Sequence, residues 1–209
     1  MTPAPLPDKS LELPGIGPIE LVRHPRARRM SLKVRADGTI RLTLPPRATI
    51  AQGRAFARAQ RAWLAGQLER QNQKLEFCQK LLARHQEFDA AGARAQLDAR
   101  LRRLAAEHGF HYGRVTFRCQ KSRWGSCSAR NHLSLNLKLA LLPEALCDLV
   151  LLHELLHTEL KHHGPAFHAR LEELLPGAAR LARDLKQYAP LLRLPLPKTK
   201  KPTHEQENF

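Results

Sequence analysis

One segment constrains the fold more than any other: PEALCDLVLLHELL, residues 143–156, followed by HTELKHHGPAFH. Pro143 suits the first position of a helix, where a missing N–H costs nothing, and Glu144 places negative charge in its first turn. The leucines and valine that follow leave little polar surface, so this helix has to lie against a core. Yet it carries His153, Glu154 and His157. Burying two imidazoles and a carboxylate among leucines is costly unless something pairs with them.

Residues four apart on a helix stand about 40° apart around the axis and one turn apart along it. His153 and His157 can therefore reach one zinc ion together, each at ~2.0–2.1 Å. Glu154 lies about 100° round from His153, beside the ion, where a general base for an activated water belongs. A hydrolytic zinc needs a third protein ligand and one open position. The candidates are His162, His163, His168, Glu159, Glu172 and Glu173. A helix continued to His163 would carry that residue ~15 Å along the axis from His153, too far to share an ion, so the chain has to turn back after His157. Gly164-Pro165 supplies a break just after His163 and favours a histidine at the turn. Glu172 or Glu173, from the following helix, is the alternative.

The rest of the chain alternates short apolar-patterned runs with arginine-rich helices. RRMSLKVRADGTIRLTLPP (28–46) reads as a β-hairpin turning at Asp37-Gly38. Thr49-x-x-Gln52 is a capping box, and helical composition follows to about Gln86, with a second helix from DAAG (89–92) to about His108. RVTFRCQ (114–120) and LSLNLKLALL (133–142) read as two strands of a second antiparallel hairpin, joined by the polar loop KSRWGSCSARNH (121–132). Pro176-Gly177 ends the helix begun at Pro165, and a last helix covers about Ala178 to Tyr188. The proline- and lysine-rich end, with almost no apolar residues, reads as a disordered tail.

Composition bounds the setting. No apolar run approaches the ~18–20 residues of a membrane span, and the N-terminus has no basic-then-apolar leader, so a cytoplasmic protein is expected. Cys78, Cys119, Cys127 and Cys147 form no CxxC pair and are expected as free thiols. Thirty-five Lys and Arg against nineteen acids give +16 and a pI near 10.6. A field of that sign concentrates polyanions, so non-specific DNA or RNA binding joins the candidate functions.

HELLHTELKHHGPAF resembles the YgjP-like metallopeptidase family, whose motif is HExxH, five further residues, then His, a small residue, x-x-Phe. His163-Gly164-Pro165-x-Phe167 is also similar to the third-ligand segment of SprT-like proteases. KSRWGSCSARNHLSLNLKLALLP (121–143) resembles the family's other hallmark loop and strand, and the likeness runs over about residues 22–190. It departs where 74–112 reads as helix in place of a short strand, and at His168, where tryptophan is common. The resemblance implies His163 as third ligand, a Zn²⁺ cofactor and an α+β zincin fold with a small antiparallel sheet on the HExxH helix. The expected organisation is an N-terminal segment (1–21), a hairpin (22–47), a helical region (48–110), a zinc metallopeptidase core (111–190) and a basic disordered tail (191–209). The expected activity is a zinc endopeptidase with Glu154 as general base, acting on a protein or peptide and recruited to DNA-associated proteins. Peptide would lie beside LSLNLKL, held in part by Asn136. Arg123 and Trp124 either serve the cleft or anchor their loop. The competing reading is a basic nucleic-acid-binding protein with a structural zinc or a vestigial site.

Overall fold

The computed structural model describes residues 10–35, 37–85 and 87–197, and the chain divides into two compact units, 1–75 and 76–209. Among the described residues the class is mixed α+β, with two small sheets and six α-helices.

In the first unit, apolar residues at every second position build a sheet with one buried face. Strands β1 (Ser10–Leu13), β2 (Gly17–Arg23), β3 (Ser31–Val34) and β4 (Ile40–Leu44) stand in the order β1-β2-β4-β3. The β3–β4 hairpin expected at 28–46 is present, and Gly38 takes the left-handed φ of 83° that its turn requires. That hairpin does not stand alone. The N-terminal segment, to which the sequence reading assigned no element, supplies β1 and most of β2, and β2 pairs in parallel with β4. Leu11, Leu13, Ile19, Leu21, Ile40, Leu42 and Leu44 are buried together with Ala57 and Leu64. Those last two belong to α1 (Ile50–Ala59) and α2 (Arg61–Ala83). Thr49 and Gln52 form the capping box that starts α1. The helical run is broken at Gln60, so what reads as one helix is two. Trp63 stays 41% exposed and contributes little to the core.

In the second unit the main core gathers around one helix. α3 (Ala90–His108) starts on the Asp89 side chain and stops at Gly109, whose φ is 74°. β5 (Val115–Arg118), β6 (Gly125–Cys127) and β7 (Leu133–Asn136) form a sheet ordered β5-β7-β6. α4 (Glu144–Leu156), α5 (Pro165–Leu174) and α6 (Ala178–Leu185) follow. Leu151, Leu152, Leu155 and Leu156 of α4 are at most 1% exposed, and each such side chain contributes about 1.5–3 kcal/mol by leaving water. Arg100 of α3 reaches across to Asp148 of α4 with two hydrogen bonds, one at 2.8 Å.

Three expectations about this unit are corrected. The expected second antiparallel hairpin is a mixed sheet: β5 runs parallel to β7, and the strand antiparallel to β7 is β6, from inside the polar loop. The strand expected over 133–142 ends at Asn136, where the Asn136 side chain caps a 3₁₀ helix at Leu137–Leu141 by accepting from Lys138 N–H. The first residues assigned to the tail expected from 191 are ordered, since Leu191 and Leu192 are buried in a 3₁₀ turn. Lys138, only 4% exposed, donates from Nζ to the carbonyls of Leu191, Leu192 and Leu194 at 2.7, 3.0 and 2.5 Å. The tail beyond 197 lies outside the described residues. Cys78, Cys119, Cys127 and Cys147 are free thiols, as expected.

Candidate metal centre

The site is built from the end of α4 and the loop after it. α4 does not continue to Gly164, as the position of the glycine suggests. It ends at Leu156 with His157 as its cap, and Leu160 N–H bonds back to Leu156 O at 2.9 Å. The His157 ring joins the same turn, with Nδ1 at 2.9 Å from Leu160 O. A carbonyl only accepts, so Nδ1 carries the proton and Nε2 keeps its lone pair. The chain then doubles back and brings His163 to the two helical histidines.

The three rings meet through their Nε2 atoms. His163 Nε2 lies 3.0 Å from His157 Nε2 and 3.0 Å from His153 Nε2. Among the described residues these three form a group whose ligand atoms lie within 4.8 Å of one another. One Nε2–H on His163 could satisfy one neighbour but not both, so neutral imidazoles arranged this way leave lone pairs facing each other. A cation resolves that repulsion. Bonds of ~2.0–2.1 Å in a tetrahedral site put nitrogens about 3.3 Å apart, close to the spacing here. The donor set therefore fits a divalent metal. Burial, with repulsion from His157, His163 and His168, pushes His153 down to about 4, which keeps its lone pair free at neutral pH. His157 is lowered too, mainly by burial.

Phe167 forms the floor under the cluster, a role that sequence reasoning leaves unassigned. It is 1% exposed, and its ring centroid lies 4.9, 4.7 and 4.9 Å from those of His153, His157 and His163. Its place in HGPAF, four residues beyond the third histidine and at the start of α5, is the signal that pointed to it.

Glu154 sits beside the histidines, 6% exposed. Burial pushes its carboxyl up to about 7, against a smaller opposing pull from Arg123. Strand β6 covers it so closely that a Cβ at Gly125 would lie 2.6 Å from Glu154 Cγ, so only glycine fits there. Cavities of about 350 and 310 Å³ both reach His153, Glu154 and Gly125.

The other candidates fall away from the cluster. Glu172 accepts from the N–H groups of Gly177 and Ala179, and Glu173 pairs with Arg170. Glu159 and His162 are exposed, and the orienting partner of His157 is a carbonyl. His168 lies with its ring centroid 6.4 Å from that of His163, at the edge of the larger cavity. Trp124 lines that cavity. Arg123 is exposed and lines a groove of about 380 Å³ with β5 and β7 residues.

Two expectations about substrate contact are corrected. Asn136 is 1% exposed, and its amide donates to Gln120 O and Arg123 O while its oxygen takes Lys138 N–H. It holds the 120–123 loop and has no group left for a peptide. β7 is the middle strand, paired on both sides, so nothing can add to it. β6 is the edge. Asn136 N–H bonds Trp124 O and Ser128 N–H bonds His132 O, so the alternate residues Gly125 and Cys127 turn their main-chain groups away from β7.

A mixed α+β unit with three converging imidazoles beside a buried carboxylate has the side-chain inventory of a metal-dependent hydrolase. Residues 76–188, just over half of the chain, match the family model described as YgjP-like, metallopeptidase domain, and the chain belongs to that family. No curated protein and no solved structure matches it. Among the described residues no helix is long and apolar enough to cross a membrane.

Proposed function

We propose that this chain is a zinc-dependent endopeptidase with a zincin-like core, in which His153, His157 and His163 hold the metal and Glu154 handles the proton. The observation that carries this is the convergence of three Nε2 atoms beside a buried carboxylate. Zinc held there supplies Lewis-acid polarisation of the scissile carbonyl and makes water a nucleophile near neutral pH. Glu154 takes the water's proton at a carboxylate oxygen and returns it to the departing amine. Its burial raises its basicity into the useful range, and positive charge nearby draws it back toward the ionised form it needs as a base. The substrate main chain adds to the open edge of β6, bonding to Gly125 and Cys127. The test is metal content together with proteolysis: one zinc per chain, cleavage of a denatured protein lost with a chelator and restored by zinc. A chain that binds no zinc, or cleaves equally without it, overturns the reading.

A second reading has its own observation. Arg114, Arg118 and Arg123 line a groove over Thr116, Ser126 and Ser134, and among the described residues no carboxylate lines it. Three such arginines suit successive phosphates of a nucleic acid, which would bring the peptidase to DNA-associated proteins. Three phosphate contacts give a slope of about −2 to −3 in log affinity against log salt. Substituting the three arginines by alanine is expected to flatten it. A salt-independent affinity, or none, removes the nucleic-acid reading and leaves the peptidase untouched.

A further inference from the structure

The first unit lies outside the family match, which starts at residue 76, so the metallopeptidase domain does not account for it. Its charge is one-sided. Between Leu21 and Leu68 the chain carries eleven lysines and arginines, ten of them arginine, against one acid, Asp37. On the outer face of the sheet the charge is balanced locally. There Glu20 pairs with Arg35 at 3.1 Å and with Arg41 at 3.0 Å.

The unbalanced arginines gather at one end of that sheet. β2 pairs with β4 as far as Arg23, opposite Leu44, and β3 begins at Ser31, opposite Thr43. The segments 24–30 and 45–49 therefore leave the sheet at the same end. The Arg23 guanidinium ties them together, donating to the carbonyls of Pro45, Pro46 and Ala48 at 2.9, 2.6 and 2.8 Å. Arg26, Arg28 and Arg29 stand on the first segment and Arg47 on the second, all exposed. α1 continues the patch. Gly53 rests on the end of β4, where an added Cβ would lie 2.9 Å from Leu44 Cδ2, and Ala57 is buried one turn on. Arg54 and Arg58, each next to one of these small residues, are exposed and share a flank of the helix. Among the described residues none of these six arginines pairs with a carboxylate. Asp37 sits in the β3–β4 turn, at the far end of the sheet.

We infer that this end of the first unit is a docking surface for the phosphate backbone of double-stranded nucleic acid, engaged without regard to base sequence. It is a surface apart from the groove of Arg114, Arg118 and Arg123, and it stands or falls independently of the peptidase reading. Six unpaired like charges repel one another, and a bound polyanion turns that repulsion into attraction. Arginine in place of lysine suits phosphate oxygens, because its planar fork donates two parallel hydrogen bonds. Single strands are held largely by bases stacked on aromatic rings. From Arg23 to Arg58 the only Phe, Tyr or Trp is Phe56, and it packs against the core. An anionic membrane is the competing polyanion, but an interfacial helix needs a free apolar face. α1 turns its apolar face to the core and leaves Ile50 as its one exposed large apolar side chain.

The test follows the fluorescence anisotropy of a labelled short duplex with the full-length chain over a range of potassium chloride concentrations. Six neutralised phosphates contribute about −5 to the slope of log affinity against log salt, in addition to any contribution from the groove. Replacing the six arginines by glutamine is expected to make the slope shallower by about 5, and replacing them by lysine to leave it in place. Two partial variants keep the test decisive if the six-fold glutamine variant does not fold. Glutamine at Arg26, Arg28 and Arg29 should remove about 3 of the slope, and glutamine at Arg54 and Arg58 about 2. Duplexes of equal length and different sequence are expected to bind alike, and single strands more weakly. No duplex binding, a slope that the glutamine variants do not move, tighter binding of single strands, a marked sequence preference, or binding only to phosphatidylserine vesicles would each overturn the inference. Alanine at Arg114, Arg118 and Arg123 reports on the groove: a slope that moves there and nowhere else supports the groove and refutes this surface. Duplex binding as expected from a zinc-loaded chain that cleaves no protein supports this surface and refutes the peptidase reading alone.

Discussion

Glu154→Gln is expected to lower kcat/KM by about 10²–10⁴-fold while zinc content stays at one per chain, because it removes a general base and leaves the imidazoles alone. The substitution is nearly isosteric, which matters where β6 presses on the side chain: Glu154 Cγ already occupies the space a Cβ at Gly125 would need. Glutamine also carries no charge to desolvate. The carboxyl is buried and held well above the ordinary range, so its ionised form is an unfavourable occupant of the metal-free fold. Thermal stability of the metal-free variant should therefore match or exceed the parent's. Metal analysis, proteolysis and a melting curve on one preparation check all three statements. Undiminished cleavage would end the proposed mechanism. Loss of zinc along with activity would move Glu154 from proton transfer to metal retention.

His163→Ala is expected to weaken zinc binding by more than about 100-fold, since losing only an orienting partner of a ligand already costs 10–100-fold. His163 is exposed and sits on a loop, so its removal should leave the metal-free melting temperature unchanged. His162→Ala is the matched comparison: one residue away, also exposed, and outside the cluster. Competition with a chromophoric chelator gives both affinities. Zinc loss in His162→Ala and retention in His163→Ala would reverse the order of the two residues.

What was legible in the sequence follows from how local its cause is. His153, Glu154 and His157 could be placed relative to one another because a helix repeats every 3.6 residues whatever surrounds it. The return of His163 could not be traced to its cause, because the turn depends on a side chain, His157 Nδ1 against Leu160 O, well before the glycine and proline. β6 was hidden for a different reason. Gly125-Ser126-Cys127 is too short and too polar to show alternation, and it exists only through its pairing with β7. The parallel match of β5 to β7 was invisible for the same reason, since alternation reports a buried face and says nothing about direction. Leu11, Leu13, Ile19 and Leu21 alternate, but Pro14, Gly15, Gly17 and Pro18 interrupt the pattern between them, and the sequence reading assigned no strand to residues 10–21, where β1 and most of β2 lie.

Lys138 has a consequence for where this domain can be cut. The family match stops at residue 188, yet the carbonyls that receive this buried ammonium belong to Leu191, Leu192 and Leu194. A fragment trimmed to the match would strand a cation in an apolar interior, where an unpaired charge costs several kcal/mol. It would have to shed its proton or open the core beside β7 to reach water. The shortest fragment able to keep this lysine dry and charged therefore ends after Leu194, and the turn at Ala189–Leu192 with the residues just after it works as a plug seated on one internal charge.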